Sequence, residues 1–144
     1  MANGTPGGPS ADDYVLVIDD DADLRESIGV MLEAAGHSFA TASDGADGLQ
    51  WLRAGRGRPC VVLLDLMMPR MSGFELRSLM KKDPALSSIP VVVVTGAGPL
   101  AERRSDELDA EILHKPLEVS VLLDAVNRHC GKPHGPASGQ VGAP

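Results

Sequence analysis

The chain has 144 residues, of which 43% are hydrophobic, which is enough for one compact core but too little for two domains of ordinary size. Its formal net charge is −7, and its only adjacent arginines are Arg103 and Arg104, so we expect no clustered basic face for nucleic acid. No apolar run reaches the roughly 18 residues of a membrane span, and no signal-peptide pattern opens the chain. We therefore expect a cytoplasmic protein that binds neither nucleic acid nor membrane.

The two ends of the chain differ in composition from the rest. Residues 1–12 and 131–144 are rich in Gly, Pro, Ser and Ala and carry no periodic apolar face. We expect both to be disordered tails on either side of one domain, residues 13–130.

Between the tails, short β-branched runs alternate five times with segments of helical periodicity. The first, third and fourth runs are almost continuously apolar, as central strands covered on both faces must be, and the other two are predicted to flank them. The predicted strands are residues 14–19, 38–41, 60–65, 91–95 and 111–113.

A helix is predicted after each strand. The first carries an apolar stripe from Leu24 to Ala35, and Asp23 with Glu26 has the spacing of a capping box, which leaves Asp21 as a loop acid. The fourth should be the least firmly packed, because charged residues fill most of its surface. The remaining helices are predicted at about 44–54, after Ser72, at about 99–108 and from Val119 to Cys130.

The cysteines and histidines show no pattern of a metal or disulfide site. Cys60 and Cys130 lie far apart in the sequence without zinc-ligand spacing, so we expect two reduced thiols. Trp51 needs no role beyond packing. The histidines, predicted at the surface or in the tails, are His37, His114, His129 and His134.

The alternation predicts an α/β fold, a (βα)5 doubly wound open sheet of five parallel strands with flavodoxin-like topology. Ligands of such sheets bind outside the carboxyl ends of the strands, where Asp19, Asp20, Asp65, Thr95 and Lys115 would meet. Three neighbouring carboxylates repel one another unless a cation compensates them, and their oxygens suit Mg²⁺. Each residue alone has an ordinary structural explanation, but their joint placement favours a site for phosphoryl chemistry.

Four motifs at the strand ends carry a resemblance to a known family. They are VIDDD after the first strand, LLDLMMPRMSG at residues 63–73, VVVVTG around Thr95, and Lys115-Pro116. Over residues 13–130 the chain resembles the receiver domain of two-component response regulators. The resemblance also implies a cis peptide before Pro116 that directs Lys115 inward.

Carried over position by position, the resemblance makes Asp65 the phosphoacceptor. Asp20 and Asp65 would ligate Mg²⁺ directly, with Mn²⁺ as a possible substitute. Asp19 would act mainly through a bound water, and the backbone carbonyl of Met67 would complete the protein ligands. In the same family the residues at Thr95 and Lys115 bind the phosphoryl group.

The resemblance implies partners as well. The phosphoryl donor would be a sensor histidine kinase or a histidine phosphotransfer protein, and the output would be contact with a downstream protein whose identity the sequence does not contain. A phosphorylation-dependent homodimer is a further possibility. Because only the predicted tail follows Cys130, we expect a stand-alone receiver, which is a signalling domain rather than an enzyme.

Two features depart from the family pattern. Ile112 occupies the position three residues before the lysine, where receivers usually carry an aromatic residue that follows the threonine as it moves. The interval from Thr95 to Lys115 is also about two residues shorter than is typical. The sequence thus predicts intact chemistry with an unusual readout surface.

Three alternatives stay open at this point. Asp19-x-Asp21 also resembles the start of haloacid-dehalogenase-type phosphatases, in which the first aspartate would be phosphorylated. Residues 96–101 formally match a G-x-G-x-x-G/A dinucleotide fingerprint, although this motif belongs to the first βα turn of its fold. The last alternative is a degenerate receiver that acts only as a binding module.

Overall fold

The computed structural model describes residues 14–131, which form one five-stranded parallel sheet covered by helices. The strand order is β2-β1-β3-β4-β5, so the three most apolar strands are central, as predicted. The predicted α/β fold is confirmed, whereas the predicted tails lie outside the described residues apart from Gly131. The strands are β1 Tyr14–Ile18, β2 Ser38–Ala42, β3 Val61–Leu64, β4 Val91–Thr95 and β5 Glu111–His114.

Helices connect the strands, and the predicted fourth helix is broken into two short pieces at Arg104. Neither piece has a side-chain cap at its start, which fits its weak amphipathic pattern. Within residues 14–131, no helix is both long and apolar enough to cross a membrane. The helices are α1 Ala22–Ala34, α2 Gly45–Arg53, α3 Gly73–Lys82, α4 Gly98–Arg103, α5 Ser105–Leu108 and α6 Val119–Cys130.

The sheet separates two apolar layers. Leu16 and Ile18 of β1 pack in one layer with residues of α2 and α3, while Val15 and Val17 pack in the other with α1 and α6. Successive side chains of a strand point to opposite faces, so a strand covered on both sides must be apolar throughout. This explains why β1, β3 and β4 read as continuous apolar runs.

The cap of the first helix lies two residues earlier than the sequence suggested. Asp21, not Asp23, is its N-cap, and the Asp21 side chain accepts hydrogen bonds from the backbone N–H groups of Asp23 and Leu24. Asp23 instead lies in the first turn, where an acid still interacts favourably with the helix dipole. A complete capping box is present elsewhere, between Ser72 and Glu75 at the start of α3.

Cys60 and Cys130 form a disulfide, so the prediction of two reduced thiols was wrong. Cys60 immediately precedes β3, and Cys130 is the last residue of α6, with 5.2 Å between the two Cα atoms. In a parallel sheet each covering helix runs back toward the edge where the strands begin. The end of α6 therefore returns to the start of β3, although the two cysteines are distant in sequence.

Two further side chains differ from expectation. His37 is buried, and its Nε2 donates to Oδ1 of Asn127 at 2.8 Å, which joins the start of β2 to α6. His114 and His129 are exposed, as predicted, and His134 lies outside the described residues. Trp51 does more than pack, since its Nε1 donates to the Tyr14 hydroxyl at 3.0 Å.

Candidate metal centre at the carboxyl edge of the sheet

Three aspartates meet where β1 and β3 end. Asp19 and Asp20 follow β1, Asp65 follows β3, and each offers a carboxylate oxygen within 4.8 Å of the others. The cause is the pairing of the two strands: Ile18 lies beside Leu64, and the Asp65 N–H donates to the Ile18 carbonyl at 3.0 Å. Asp19 and Asp65 are buried, whereas Asp20 is exposed. We refer to these three residues as the acid cluster.

Asp19 is fixed through all of its polar atoms. Its N–H donates to the Ala42 carbonyl at 3.2 Å, and its own carbonyl accepts from Nη1 of Arg25 at 2.7 Å. Its Oδ1 accepts the Asp21 N–H at 2.9 Å, and its Oδ2 accepts from Lys115 Nζ at 3.0 Å. The carboxylate therefore has one fixed orientation.

Asp65 has a different environment, because it is buried but has fewer hydrogen-bond partners than Asp19. Burial, together with the negative charge of Asp19, raises the pKa of its carboxyl from 3.8 to about 6. Lys115, with Nζ 3.6 Å from Oδ1 of Asp65, and a hydrogen bond from the Leu66 backbone oppose the rise without cancelling it. Negative charge at Asp65 is thus only partly compensated by the protein.

Lys115 bridges the two buried carboxylates. Burial alone would lower its pKa, but the hydrogen bond to Asp19 and the attraction of Asp65 outweigh burial and raise the pKa. Its backbone N–H donates to the Thr95 carbonyl at 2.9 Å, and a cis peptide precedes Pro116. The ammonium group is therefore charged and anchored beside the end of β4.

Thr95 ends β4 and is completely buried. Its Oγ1 accepts the backbone N–H of Ala97 at 2.9 Å. A hydroxyl that accepts one hydrogen bond still has its own hydrogen to donate. Thr95 can consequently offer that hydrogen to a ligand oxygen while it keeps its contact with Ala97.

The loop after β3 carries Asp65 into its place. The Gly73 N–H donates to the Leu66 carbonyl at 2.9 Å, and a Cβ at Gly73 would lie 2.2 Å from the Asp65 carbonyl oxygen. Only glycine allows this approach without a backbone shift. Met67, predicted to offer its carbonyl to a metal, lies in the same loop with its side chain 57% exposed.

The chemistry of the acid cluster fits a divalent cation. Three carboxylates lie beside one ammonium group, and burial together with the negative charge of Asp19 raises the pKa of Asp65. Hard oxygen ligands of this kind suit Mg²⁺, which retains waters and accepts phosphate oxygens among its ligands. The site can therefore bind such an ion with an anionic group beside it.

The comparison with known proteins agrees with this geometry. A family model described as "Response regulator receiver domain" matches residues 15–127. The chain belongs to this family. Receivers are signalling domains of two-component systems and typically bind Mg²⁺ at an acidic pocket, and their partners are histidine kinases or phosphotransfer proteins.

Individual relatives differ in length. Protein PilH of Pseudomonas aeruginosa is 31% identical over 119 residues, which cover 78% of this chain and 93% of PilH. The gliding motility regulatory protein of Myxococcus xanthus is 32% identical over 117 residues, 79% of this chain but 15% of that protein. A receiver domain of a signal transduction histidine kinase from Syntrophus aciditrophicus superimposes with a TM-score of 0.75 and 28% identity, over 82% of this chain and 89% of that one.

The structure also bears on the other interpretations of the motifs. Asp21, the second aspartate of the phosphatase-like pattern, is exposed and its carboxylate caps α1. The dinucleotide-like residues 96–101 follow β4, and α4 is only six residues long. Ile112, in place of the family's usual aromatic residue, is half-buried against the layer that contains α2 and α3.

Sequence reasoning missed one residue next to the site. Arg25, in the second turn of α1, donates to the carbonyl of Asp19, where the chain turns from β1 toward the acid cluster. Its only signal in the sequence was a lone basic residue soon after four aspartates. A side chain that contacts a backbone carbonyl leaves no motif in the sequence, so this contact of Arg25 could not be predicted.

Proposed function

We propose that Asp65 is the phosphoacceptor of this receiver and that it takes its phosphoryl group from a phosphohistidine on a sensor histidine kinase or a histidine phosphotransfer protein. The observation that carries the proposal is the environment of Asp65, a buried carboxylate with a pKa of about 6 between another acid and Lys115. Such a group lies at the carboxyl edge of the sheet and is still ionised near neutral pH.

The contrast between Asp19 and Asp65 supports the choice of nucleophile. Both oxygens of Asp19 accept hydrogen bonds, one from Asp21 and one from Lys115. Asp65 is bonded less completely, since its closest cationic atom lies 3.6 Å away. An attacking oxygen needs a free lone pair, so Asp65 is better suited to attack than Asp19.

In the proposed transfer, a carboxylate oxygen of Asp65 forms a bond to phosphorus while the bond from phosphorus to the donor's imidazole nitrogen breaks. The electron pair of the broken bond stays on the imidazole, and Asp65 becomes an acyl phosphate. Water later hydrolyses that mixed anhydride and returns the carboxylate and inorganic phosphate. We infer no added general base in the loops, because Met67 and Ala97 are both non-acidic.

Asp20 and Asp65 would hold Mg²⁺ directly, Asp19 mainly through a water, and the Met67 carbonyl would complete the protein ligands. Mg²⁺ would supply positive charge for the oxygens of the phosphoryl group. The support for this assignment is the acid cluster itself, with oxygens within 4.8 Å of one another.

Lys115 and Thr95 would bind the remaining phosphoryl oxygens. The Lys115 ammonium is charged and lies between the Asp19 and Asp65 carboxylates, where a phosphoryl group on Asp65 would project. Thr95 has a hydroxyl hydrogen to donate, because its oxygen is the acceptor of the Ala97 N–H. Each contact strengthens as negative charge develops on the transferred group.

The output would be a change of the surface formed by α4, α5, β5 and α6. Ala97 is the N-cap of α4 and depends on Thr95 for its hydrogen bond, so a movement of Thr95 reaches α4 directly. A downstream protein, or a second copy of the chain, would recognise the changed surface. The half-buried Ile112 replaces the aromatic residue that carries this movement in most receivers.

The proposal is tested by Mg²⁺-dependent labelling with a small phosphodonor such as acetyl phosphate. Wild type should accept one phosphoryl group, and Asp65→Asn should lose the alkali-labile, hydroxylamine-sensitive label. Lys115→Met should be labelled more than tenfold more slowly, because it removes the cation beside the attacked phosphorus. Asp23→Asn, which removes an equal charge from the exposed first turn of α1, should be labelled as wild type.

The opposite pattern would contradict the assignment. If Asp65→Asn is labelled as strongly as wild type while Asp19→Asn loses the label, Asp65 is not the acceptor and the phosphatase-like mechanism is favoured. If no variant or wild-type protein is labelled by either a small donor or a phosphorylated kinase, the degenerate binding module is the better description.

A further inference from the structure

The Cys60–Cys130 disulfide lies at the edge of the sheet opposite the acid cluster. Cys60 precedes β3, whose other end leads into Asp65, and Cys130 ends α6, with 70 residues separating the two cysteines in the chain. Both cysteines are half-buried, so neither sulfur is sealed inside the core. The bond therefore ties the end of the last helix to a central strand through two residues that are only partly buried.

The surroundings of Cys60 suit a thiol as well as a disulfide. Its Sγ lies 3.2 Å from the Tyr14 carbonyl oxygen. A disulfide sulfur has no hydrogen to donate, whereas a reduced Cys60 would donate its S–H to that oxygen. The Tyr14 carbonyl also accepts the Cys60 N–H at 2.8 Å. Reduction would thus leave no polar group at Cys60 without a partner.

The surroundings of Cys130 also accept the reduced form. It packs at the margin of the apolar layer between α1, α6 and the sheet, together with Leu123. A free cysteine behaves there as a small apolar side chain. Neither cysteine would therefore force the domain to unfold when the bond is broken.

Other contacts would keep most of α6 in place. Leu122, Ala125 and Val126 are completely buried. Asn127 accepts from His37, and Arg128 forms an ion pair with Glu111 of β5. All of these contacts precede His129, so only the end of the helix depends on the disulfide.

We propose that Cys60 and Cys130 form a reversible redox site that fixes the end of α6, His129 and Cys130, and Gly131 to the sheet when oxidised and releases them when reduced. The reductant would be a dithiol: one of its thiolates attacks a sulfur of the pair, and its second thiol resolves the mixed disulfide. Two electrons pass to the pair, two protons follow, and the reductant leaves as a disulfide. The proposal does not rest on phosphoryl transfer to Asp65.

The test compares one wild-type protein in two redox states. After equilibration with oxidised glutathione, denatured protein should take up no maleimide and migrate as a monomer without reductant, and after dithiothreitol it should take up two. Hydrogen exchange should be at least about tenfold faster at residues 129–131 in the reduced protein and unchanged at Leu122 and Val126. The midpoint of thermal unfolding should fall by on the order of 10 °C on reduction.

A double cysteine variant supplies the matched control. Cys60→Ser with Cys130→Ser should show the reduced exchange pattern under oxidising conditions, since serine at residue 60 can still donate to Tyr14. Each of several results would overturn the proposal: two titratable thiols after oxidation, a disulfide between two chains, identical exchange at residues 129–131 in both states, or loss of the whole fold on reduction. The comparison of oxidised and reduced wild-type protein tests the proposal even if the double variant fails to fold.

Discussion

Replacing Asp65 by asparagine should make the metal-free domain more stable at neutral pH. Burial and the charge of Asp19 raise the pKa of Asp65 from 3.8 to about 6, so the folded domain binds this proton more tightly than the unfolded chain does. Well below pH 4 the residue is protonated in both states and carries no penalty. Between about pH 4 and pH 6 the unfolded chain loses this proton while the folded domain keeps it, so the fold is progressively destabilised, and the penalty is complete above about pH 7.

The magnitude follows from the size of the shift. A rise from 3.8 to about 6 corresponds to about 3 kcal/mol of folding free energy for this nearly buried carboxyl. Asparagine removes the buried negative charge, but it also leaves Lys115 with less negative charge beside it. We therefore expect Asp65→Asn to raise the free energy of unfolding by about 1 to 3 kcal/mol at neutral pH. For a domain of this size the gain is about 4 to 12 °C in the midpoint of thermal unfolding.

Urea unfolding followed by circular dichroism, in chelator and between about pH 4 and pH 8, measures the effect. The gain of Asp65→Asn should be full near pH 7.5 and mostly lost near pH 4, whereas Asp23→Asn, at an exposed position, should show no such profile. Saturating Mg²⁺ should stabilise wild type by binding only the folded state and so close the gap. A variant no more stable than wild type at neutral pH, or a gain independent of pH, would refute the reasoning.

Two further predictions concern backbone contacts that support the site and its output surface. Gly73→Ala should lose at least about 2 kcal/mol of stability in urea unfolding, because its Cβ would lie 2.2 Å from the Asp65 carbonyl oxygen, whereas Gly96→Ala, with open space around its Cβ, should lose much less. Equal losses in the two variants would contradict this explanation. Arg77→Met should speed hydrogen exchange in α5 and cost about 2 kcal/mol, because Arg77 donates to the Leu108 carbonyl at 2.6 Å and to that of Asp109 at 3.0 Å. Unchanged exchange at residues 105–109 would show that other contacts fix α5.

The fold was predictable because the composition of each strand depends on whether the strand is covered on both faces. A strand covered on both faces must be apolar at every position, and β1, β3 and β4 are the three with this pattern and the three at the centre. The placement of the acid cluster follows from the same rule, since adjacent parallel strands end at one edge of the sheet. Asp19 and Asp65 are therefore neighbours although they are 46 positions apart in the sequence.

Contacts that depend on side-chain geometry could not be predicted from the sequence. The cap of α1 is Asp21 rather than Asp23, a difference that depends on one extended residue before the helix. The burial of His37 requires Asn127, which lies on a helix at the far end of the chain. Neither contact has a spacing that a linear pattern could reveal.

The disulfide and the acid cluster both follow from the parallel topology of the sheet. The sequence predicted the acid cluster, but it did not predict the disulfide. Strand ends carry polar residues that look out of place after an apolar run, so Asp19 and Asp65 were conspicuous. Strand starts and helix ends meet at the other edge, but a cysteine there looks like any small apolar residue. A βα unit returns its helix to the edge where its strand begins, and Cys60 and Cys130 lie at such positions, 5.2 Å apart between Cα atoms. Cysteine pairs in parallel sheets should therefore be sought between strand starts and helix ends, whatever their separation in sequence.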